Sequence, residues 1–143
     1  MANDPRVAGA APIPTRTAAQ QAGDAAEELV ATTLIEAGWT VVARNVRVGR
    51  RELDLVAIDP GPPGALVVVE VRWRSRRDFG LPEETVDHRK RQRIRQAAYA
   101  LVDAGGLPHL PNLPHLPLRF DLVAVEPGPG DGAWITRHHR AAF

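Results

Sequence analysis

Two runs of residues, Glu52–Ile58 and Leu66–Arg74, flank the turn-forming segment Asp59-Pro-Gly-Pro-Pro-Gly64, and both are apolar at almost every position near it. Side chains alternate between the two faces of an extended strand. Glu52, Asp54, Val56 and Ile58 therefore share one face of the first run, with Leu53, Leu55 and Ala57 on the other. In the second run Leu66, Val68, Glu70, Arg72 and Arg74 lie opposite Val67, Val69, Val71 and Trp73. Strands that are apolar on both faces are covered on both faces. The chain must therefore supply a layer above and a layer below this hairpin. Centring the hairpin on Pro62 pairs residue i with residue 124 − i, which sets Asp54 opposite Glu70 and Glu52 opposite Arg72.

Segments on either side have the periodicity to provide those layers. From Thr17 onward, Ala22, Ala25, Ala26, Leu29, Val30, Thr33 and Leu34 recur at helical spacing until Gly38, predicting a first helix closed by a glycine. Thr85 to Ala104 predicts a second, with Val86, Ile94, Ala97, Ala98, Leu101 and Val102 as its apolar stripe and Gly105-Gly106 as its stop. Trp39–Arg44 reads as a strand before the hairpin, Leu118–Val125 as a strand after the second helix, and Ala133–Arg137 as a short edge strand. The order α-β-β-β-α-β predicts an α/β fold whose mixed central sheet is flanked by helices.

Residues 1–16, with Pro5, Pro12 and Pro14, have neither periodicity and read as a flexible N-terminal tail. Residues 17–126 read as the domain and 127–143 as the edge strand and a C-terminal tail. Inside the domain, residues 107–117 repeat Leu-Pro-His, Leu-Pro-Asn, Leu-Pro-His, Leu-Pro, a spacing that favours polyproline II. A stiff connector is the reading adopted, a docking segment for a proline-recognising partner the alternative. His109 and His115 share a phase of that repeat, which alone is weak evidence for a metal site.

With 143 residues the chain can bury one continuous core. It has no cysteine, so thiolate chemistry and cysteine-ligated zinc are excluded and any metal must sit on oxygen or imidazole. No apolar run is long enough to span a bilayer and no signal-like segment opens the chain, so no membrane association and a cytoplasmic location are expected. The net charge of +1 conceals a bias: between Arg72 and Arg95 nine Arg or Lys stand against four acids. Acidic partners at i+4 are mostly missing from Arg89 to Arg95, so this face reads as an anion-binding surface rather than a mixed-charge one.

Carboxylates at 54 and 70 enter a layer that is otherwise apolar, with Cβ atoms about 5 Å apart if they face each other. Two such groups in low dielectric repel and raise each other's pKa unless a cation lies between them. A divalent ion on oxygen ligands would remove the conflict, and Mg²⁺ typically takes one or two carboxylates and keeps several waters. The alternatives are an ion network in which Arg72 or Arg74 neutralises the pair, and a slipped register that points the acids at solvent. Glu27, on the first helix near the edge of its packed stripe, is a further acid in reach; alone it reads as a solvated glutamate. The basic stretch supplies the charge that a nucleic-acid backbone requires.

Gly23-Asp-Ala-Ala-Glu27, Ala43-Arg-Asn45, Glu52-Leu-Asp54-Leu-Val-Ala, Val69-Glu70-Val-Arg72, Val86 to Lys90 and Arg119-Phe-Asp121-Leu-Val resemble, in order and spacing, the YraN-like family of uncharacterised bacterial proteins. That family is similar to the PD-(D/E)XK nuclease superfamily and to archaeal Holliday-junction resolvases. The resemblance covers about residues 17 to 126. It implies a restriction endonuclease-like core, Asp54 and Glu70 as ligands of Mg²⁺ or Mn²⁺, Glu27 as a supporting acid and position 72 as the catalytic cation. It further implies phosphodiester hydrolysis by a metal-activated water on DNA, branched or structured DNA included. The basic stretch itself offers Arg74, Arg89, Lys90, Arg91 and Arg93 as phosphate contacts, and a homodimer is one admissible assembly. The family's usual lysine is here Arg72 and the glycine usual before the second-strand motif is here Arg51. Arginine can balance charge on a phosphorane-like transition state but cannot act as a base. Lys90, the only lysine, is a candidate substitute if the second helix packs beside the hairpin, and otherwise a phosphate contact. The competing expectations are a catalytically degenerate nucleic-acid-binding module and a protein-interaction adaptor built on the Leu-Pro repeat.

Overall fold

The computed structural model describes residues 15–74, 86–107 and 110–143. The elements run α1 (Ala18–Glu36), β1 (Thr40–Val48), β2 (Arg51–Asp59), β3 (Ala65–Trp73), α2 (His88–Asp103), the two-residue strands β4 (Gly106–Leu107) and β5 (Leu110–Pro111), β6 (Leu118–Pro127) and β7 (Trp134–His139). Five of these strands form one mixed sheet in the order β1-β2-β3-β6-β7, antiparallel except for the parallel pair β3/β6. A parallel pair needs a crossover, and α2 lies within it. This is the restriction endonuclease-like order anticipated from the sequence, extended by the edge strand β7. Among the described residues no helix is long and apolar enough to cross a membrane.

Each helix packs on one face of the sheet, which explains why β2 and β3 are apolar on both. Ala26, Val30, Ala31 and Leu34 of α1 meet Leu55, Ala57, Val67, Val69 and Val123. Ile94, Ala97, Ala98 and Leu101 of α2 meet Val56, Leu66, Val68 and Phe120 on the other face. Fully buried leucines such as Leu53, Leu55, Leu66 and Leu101 each contribute about 2 kcal/mol. Ala25, Thr33 and Val102, assigned to the apolar stripes by periodicity, face solvent, and Ala31 completes the stripe on α1.

Local chemistry sets the boundaries. Thr17 caps α1 in a capping box with Gln20, the hydroxyl accepting from the Gln20 N–H at 3.1 Å while the Gln20 side chain accepts from the Thr17 N–H at 2.8 Å. The second helix begins at His88 rather than in the predicted first turn from Thr85, because the Asp87 carboxylate accepts from the Lys90 N–H and makes Asp87 the cap. Thr85 itself lies outside the described residues. The β2–β3 turn demands glycine at 61, where φ is +72° and a Cβ would fall 2.1 Å from the Pro63 carbonyl carbon.

Two loop expectations are corrected. Leu110-Pro111 pairs with Gly106-Leu107 as a small antiparallel ladder rather than continuing a polyproline helix, and Asn112 has φ +62°. Leu113 and Leu116 of the repeat pack against the α2-side core while His115 is exposed; His109 lies outside the described residues. Arg16 forms an exposed ion pair with Asp24 on α1 at 2.6 Å; positions 1–14 lie outside the described residues.

Candidate functional site

The register 124 − i holds from Asp59↔Ala65 to Leu55↔Val69 and then stops. Beyond that point β2 stays with β1 down to Arg51, and β3 stays with β6 up to Trp73. The sheet thus forks, and the expected opposition of Glu52 and Arg72 does not form because the two strands have parted. Asp54 sits at the fork. Its Oδ2 accepts the Val71 N–H at 2.9 Å, replacing the backbone acceptor that a continued ladder would provide.

Opposite Asp54 in the β1/β2 register stands Asn45, whose φ of +50° breaks the strand's regular pleat. Alternation is disturbed accordingly: Leu53 joins Val46 and Val56 in the α2-side core rather than Leu55 and Ala57 on the other face. With its amide oriented to satisfy both neighbours, Asn45 donates to Glu27 Oε2 at 3.0 Å and to Glu52 Oε1 at 3.1 Å. That amide links the acid on α1 to the second strand.

The carboxyls of Asp54 and Glu70 interact at close range, each influencing the titration of the other. Glu70 is only 4% exposed. Burial, and then the Glu70 charge, pushes the Asp54 carboxyl up to about 8 against the opposing pull of the Val71 N–H. Burial also raises Glu70, although Arg72 and the bond from Asp54 act in the other direction. Glu27 is raised by burial and by the charges of Asp24, Glu52 and Glu70. Burial and mutual repulsion therefore oppose the simultaneous ionisation of the two carboxyls.

Two cations stand on the same oxygen of Glu70. Arg72 Nη2 is 3.3 Å from Oε1 and Lys90 Nζ is 3.2 Å from it. Helix α2 does pack beside the hairpin, which puts Lys90 in the site. Arg72 Nε is buried and finds no acceptor among the described residues. A cleft of about 620 Å³ is lined by Asp54 and Glu70 together with Arg50 of the β1–β2 turn, Arg51 at the start of β2, and Arg89, Lys90 and Arg93 of α2. On the α1 side a groove of about 370 Å³ is lined by Glu27, Arg72, Trp73 and Arg74. Arg91 and Arg95 turn elsewhere: Arg91 lies over Phe143 at 5.9 Å, and Arg95 over Phe120 at 4.9 Å. The helix's basic residues are therefore divided between the cleft and the covering of aromatic side chains. Arg76 and Arg77 lie outside the described residues.

The donor set suits a hard divalent cation. Two buried carboxyls whose ionisation is opposed by burial and by each other form a pair that a cation would stabilise, and the orphaned Arg72 Nε is a donor awaiting an anion. Among the described residues no three His, Asp or Glu side chains form a ready-made metal cage. Asp54 and Glu70 would be the protein's two ligands, the number Mg²⁺ commonly takes.

A second charged network, centred on the neighbouring strand β6, was not anticipated. Asp121, fully buried, accepts from Nε and Nη2 of Arg119 at 2.9 Å each and from the Ala141 N–H at 3.0 Å, and His138 Nε2 lies 2.8 Å away. Arg119 also reaches Asp59 at 2.9 Å, and its guanidinium lies 5.5 Å from the Trp39 ring. Burial works to raise the Asp121 carboxyl, but His138, Arg119 and the Ala141 N–H outweigh it and hold the group at about 2. Its partners lie up to 20 residues away in sequence, so only its apolar neighbours Phe120 and Leu122 hinted that an acid there is enclosed. This cluster ties β6, β7 and the C-terminal residues to the sheet.

A family model described as "Uncharacterised protein family UPF0102" matches residues 26–125, a stretch that contains Glu27, Asn45, Asp54, Glu70, Arg72, Lys90 and Asp121. The chain is similar to a UPF0102 protein of Symbiobacterium thermophilum, with 40% identity over 125 residues that cover 87% of this chain and 97% of the relative. A UPF0102 protein of Moorella thermoacetica is 38% identical over 90% of each chain, and one of Solibacter usitatus is 42% identical over 72% of this chain and 73% of the relative. The motif order and the matched span agree, and the chain belongs to the uncharacterised protein family UPF0102, the YraN-like family that its motifs resemble.

Proposed function

We propose that this protein is a divalent-metal-dependent endonuclease acting on DNA, with structured or branched DNA as its preferred form and the cytoplasm as its place of action. The observation that carries this reading is the Asp54–Glu70 carboxyl pair, buried at the fork of the sheet in a cleft lined by arginines. Buried acids that oppose each other's ionisation are costly to a fold, so their position has a purpose other than packing. Asp54 and Glu70 would hold Mg²⁺ or Mn²⁺. What the ion supplies when bound is a lowered pKa for a nearby water and neutralisation of phosphate charge.

The remaining steps belong to the chain's own residues. With Glu70 balanced, Arg72 and Lys90 are no longer needed to neutralise it and can meet phosphate oxygens. Arg72, always protonated, stabilises charge as it builds on the phosphate and takes no proton. Asn45 keeps Glu27 and Glu52 oriented at the edge of the site. Arg50, Arg51, Arg89 and Arg93 steer the backbone into the cleft. The test is Mn²⁺-dependent cleavage of branched and linear DNA by wild type, Asp54→Ala and Glu70→Ala. Both variants are expected to lose cleavage, and cleavage surviving in both overturns the proposal.

One observation favours a second reading, a nucleic-acid-binding module without catalysis: position 72 is Arg where the resemblance implies lysine. It expects salt-sensitive DNA binding that weakens in Arg89→Ala and Arg93→Ala, with no metal-dependent scission.

A further inference from the structure

The two edges of the central sheet are built differently. On β1 the register against β2 shifts between Val41 and Ala43, Asn45 takes φ +50°, and Arg44 and Arg47 are exposed. A bulge, a break in the pleat and exposed charge are the devices that keep an edge strand from pairing with another chain. The opposite edge, β7, lacks them. Its register with β6 runs without a shift from Leu122↔His139 to Pro127↔Trp134, no residue from Trp134 to His139 has positive φ, and the strand contains neither proline nor lysine. Arg137 is turned inward to Glu126 of β6 at 3.2 Å. Trp134 and Ile135, both exposed, occupy successive positions and so place a large apolar side chain on each face of the strand. Among the described residues β6 is the only strand that pairs with β7.

The ladder determines which backbone groups face outward. The Arg74 N–H donates to the Val125 oxygen at 3.1 Å, so Val125 turns its polar groups toward β3, and Thr136, its partner on β7, turns its own away from β6. The Gly128 N–H donates to the Ala133 oxygen at 2.7 Å, which directs the odd-numbered residues of β7 toward β6. Trp134, Thr136 and His138 therefore present N–H and C=O groups at the outer edge, symmetrically about Thr136. A second copy laid antiparallel, with Thr136 opposite Thr136, sets Trp134 opposite His138 and lets all three outward residues exchange both bonds. Side chains match as well: a threonine pair at the centre, an aromatic pair on one face, and Ile135 against the stem of Arg137 on the other. Sliding the copies by one pleat in either direction loses one of the three pairs, and in one direction it sets Arg137 against Arg137. An exchange of β7 with β1 of the next copy would grow without closing, and the bulge on β1 opposes it.

We propose that β7 is the dimerisation edge of this protein: two copies pair antiparallel through Trp134–His139 about a two-fold axis at Thr136, joining their sheets into one. The occupant of the edge is a second copy because this strand is complementary to itself in hydrogen bonding, in charge and in side-chain size at a single register. Asp54 and Glu70 lie on β2 and β3, beyond β6, so the pairing covers neither copy's cleft. It stands independently of the nuclease reading.

Sedimentation of the full-length chain over a concentration series is expected to show a monomer–dimer equilibrium. Thr136→Lys and Thr136→Glu each set like charges against each other at the axis and should weaken the dimer at least about tenfold. Mixing the two variants should restore it, because only a residue on the axis meets its own counterpart. Tyr99→Lys, an exposed position on α2, should dimerise as wild type does. Circular dichroism melts establish that the variants are folded. Amide hydrogen exchange of wild type tests the same geometry without any substitution: the Trp134, Thr136 and His138 N–H groups should be protected in concentrated protein and lose protection on dilution, while those of Ile135 and Arg137 stay protected. A wild type that is monomeric throughout overturns the proposal. So do a dimer that survives both charge variants, a mixture that fails to restore it, and protection of the outer amides that persists in the monomer, which would mean that the chain covers this edge itself.

Discussion

Substituting Asp54 by asparagine should make the metal-free protein more stable at alkaline pH, the opposite of what removing a buried acid usually does. The asparagine side chain keeps an oxygen for the Val71 N–H and offers Glu70 a permanent donor where wild type must supply a proton. The Asp54 carboxyl is pushed from 3.8 to about 8, so between those values the folded chain holds a proton that the unfolded chain has released. Stability of wild type therefore falls as pH rises through this window, by about 1.4 kcal/mol per pH unit. From pH 5 to pH 8 the difference between Asp54→Asn and wild type should grow by on the order of 4 kcal/mol. Against a typical total of about 5–15 kcal/mol this is large. Urea melts in EDTA at the two pH values measure it. Saturating Mn²⁺ at pH 7 should release about one proton from wild type, read by calorimetry in two buffers of different ionisation enthalpy. A pH-independent difference between variant and wild type, or metal binding without proton release, would refute the raised pKa assigned to Asp54.

Asp121 should behave in the opposite sense. Its carboxyl is held at about 2 against an ordinary 3.8, so it contributes about 2 kcal/mol that is present above pH 4 and lost as pH falls toward 2. Asp121→Asn leaves Arg119 half-paired and should destabilise the protein at pH 7 by about 3 kcal/mol; a cost below about 1 kcal/mol in urea melts would show the network to be no stronger than a surface ion pair. For cleavage, Arg72→Ala should lower kcat about a hundredfold. Lys90→Ala, at a more exposed position, should cost about tenfold; equal losses would mean that the two cations on Glu70 act as one unit.

Sequence patterning reached the hairpin because the Pro/Gly turn and the two apolar runs fix the register together, and every pair from Asp59↔Ala65 to Leu55↔Val69 obeys it. It could not reveal where the ladder ends. That depends on Asn45 adopting φ +50° in the neighbouring strand and on each strand keeping its outer partner, neither of which has a signature at positions 54 and 70. Asn45 stood among the family-like motifs without a role until its amide was seen between Glu27 and Glu52. Charge counting overestimated the cleft, because Arg91 and Arg95 cover Phe143 and Phe120 and only geometry separates them from Arg89 and Arg93. The Asp121 cluster joins residues from two strands and the C-terminal segment, and such long-range pairing leaves no local pattern.

The bond from Val71 to Asp54 gives one acid a second occupation. A backbone N–H this deep in the sheet needs an acceptor whatever chemistry the protein performs. Glu70 has no comparable duty to the backbone, and its carboxyl is instead balanced by two cations that can turn outward. On the proposed nuclease reading, a lineage abandoning cleavage could thus discard the acid at 70 while the sheet persisted, but at 54 it would have to keep an oxygen of similar reach, from aspartate or asparagine. Inactive descendants of this fold should be recognised by what they lose on the third strand, since the second strand would still carry the imprint of the old site.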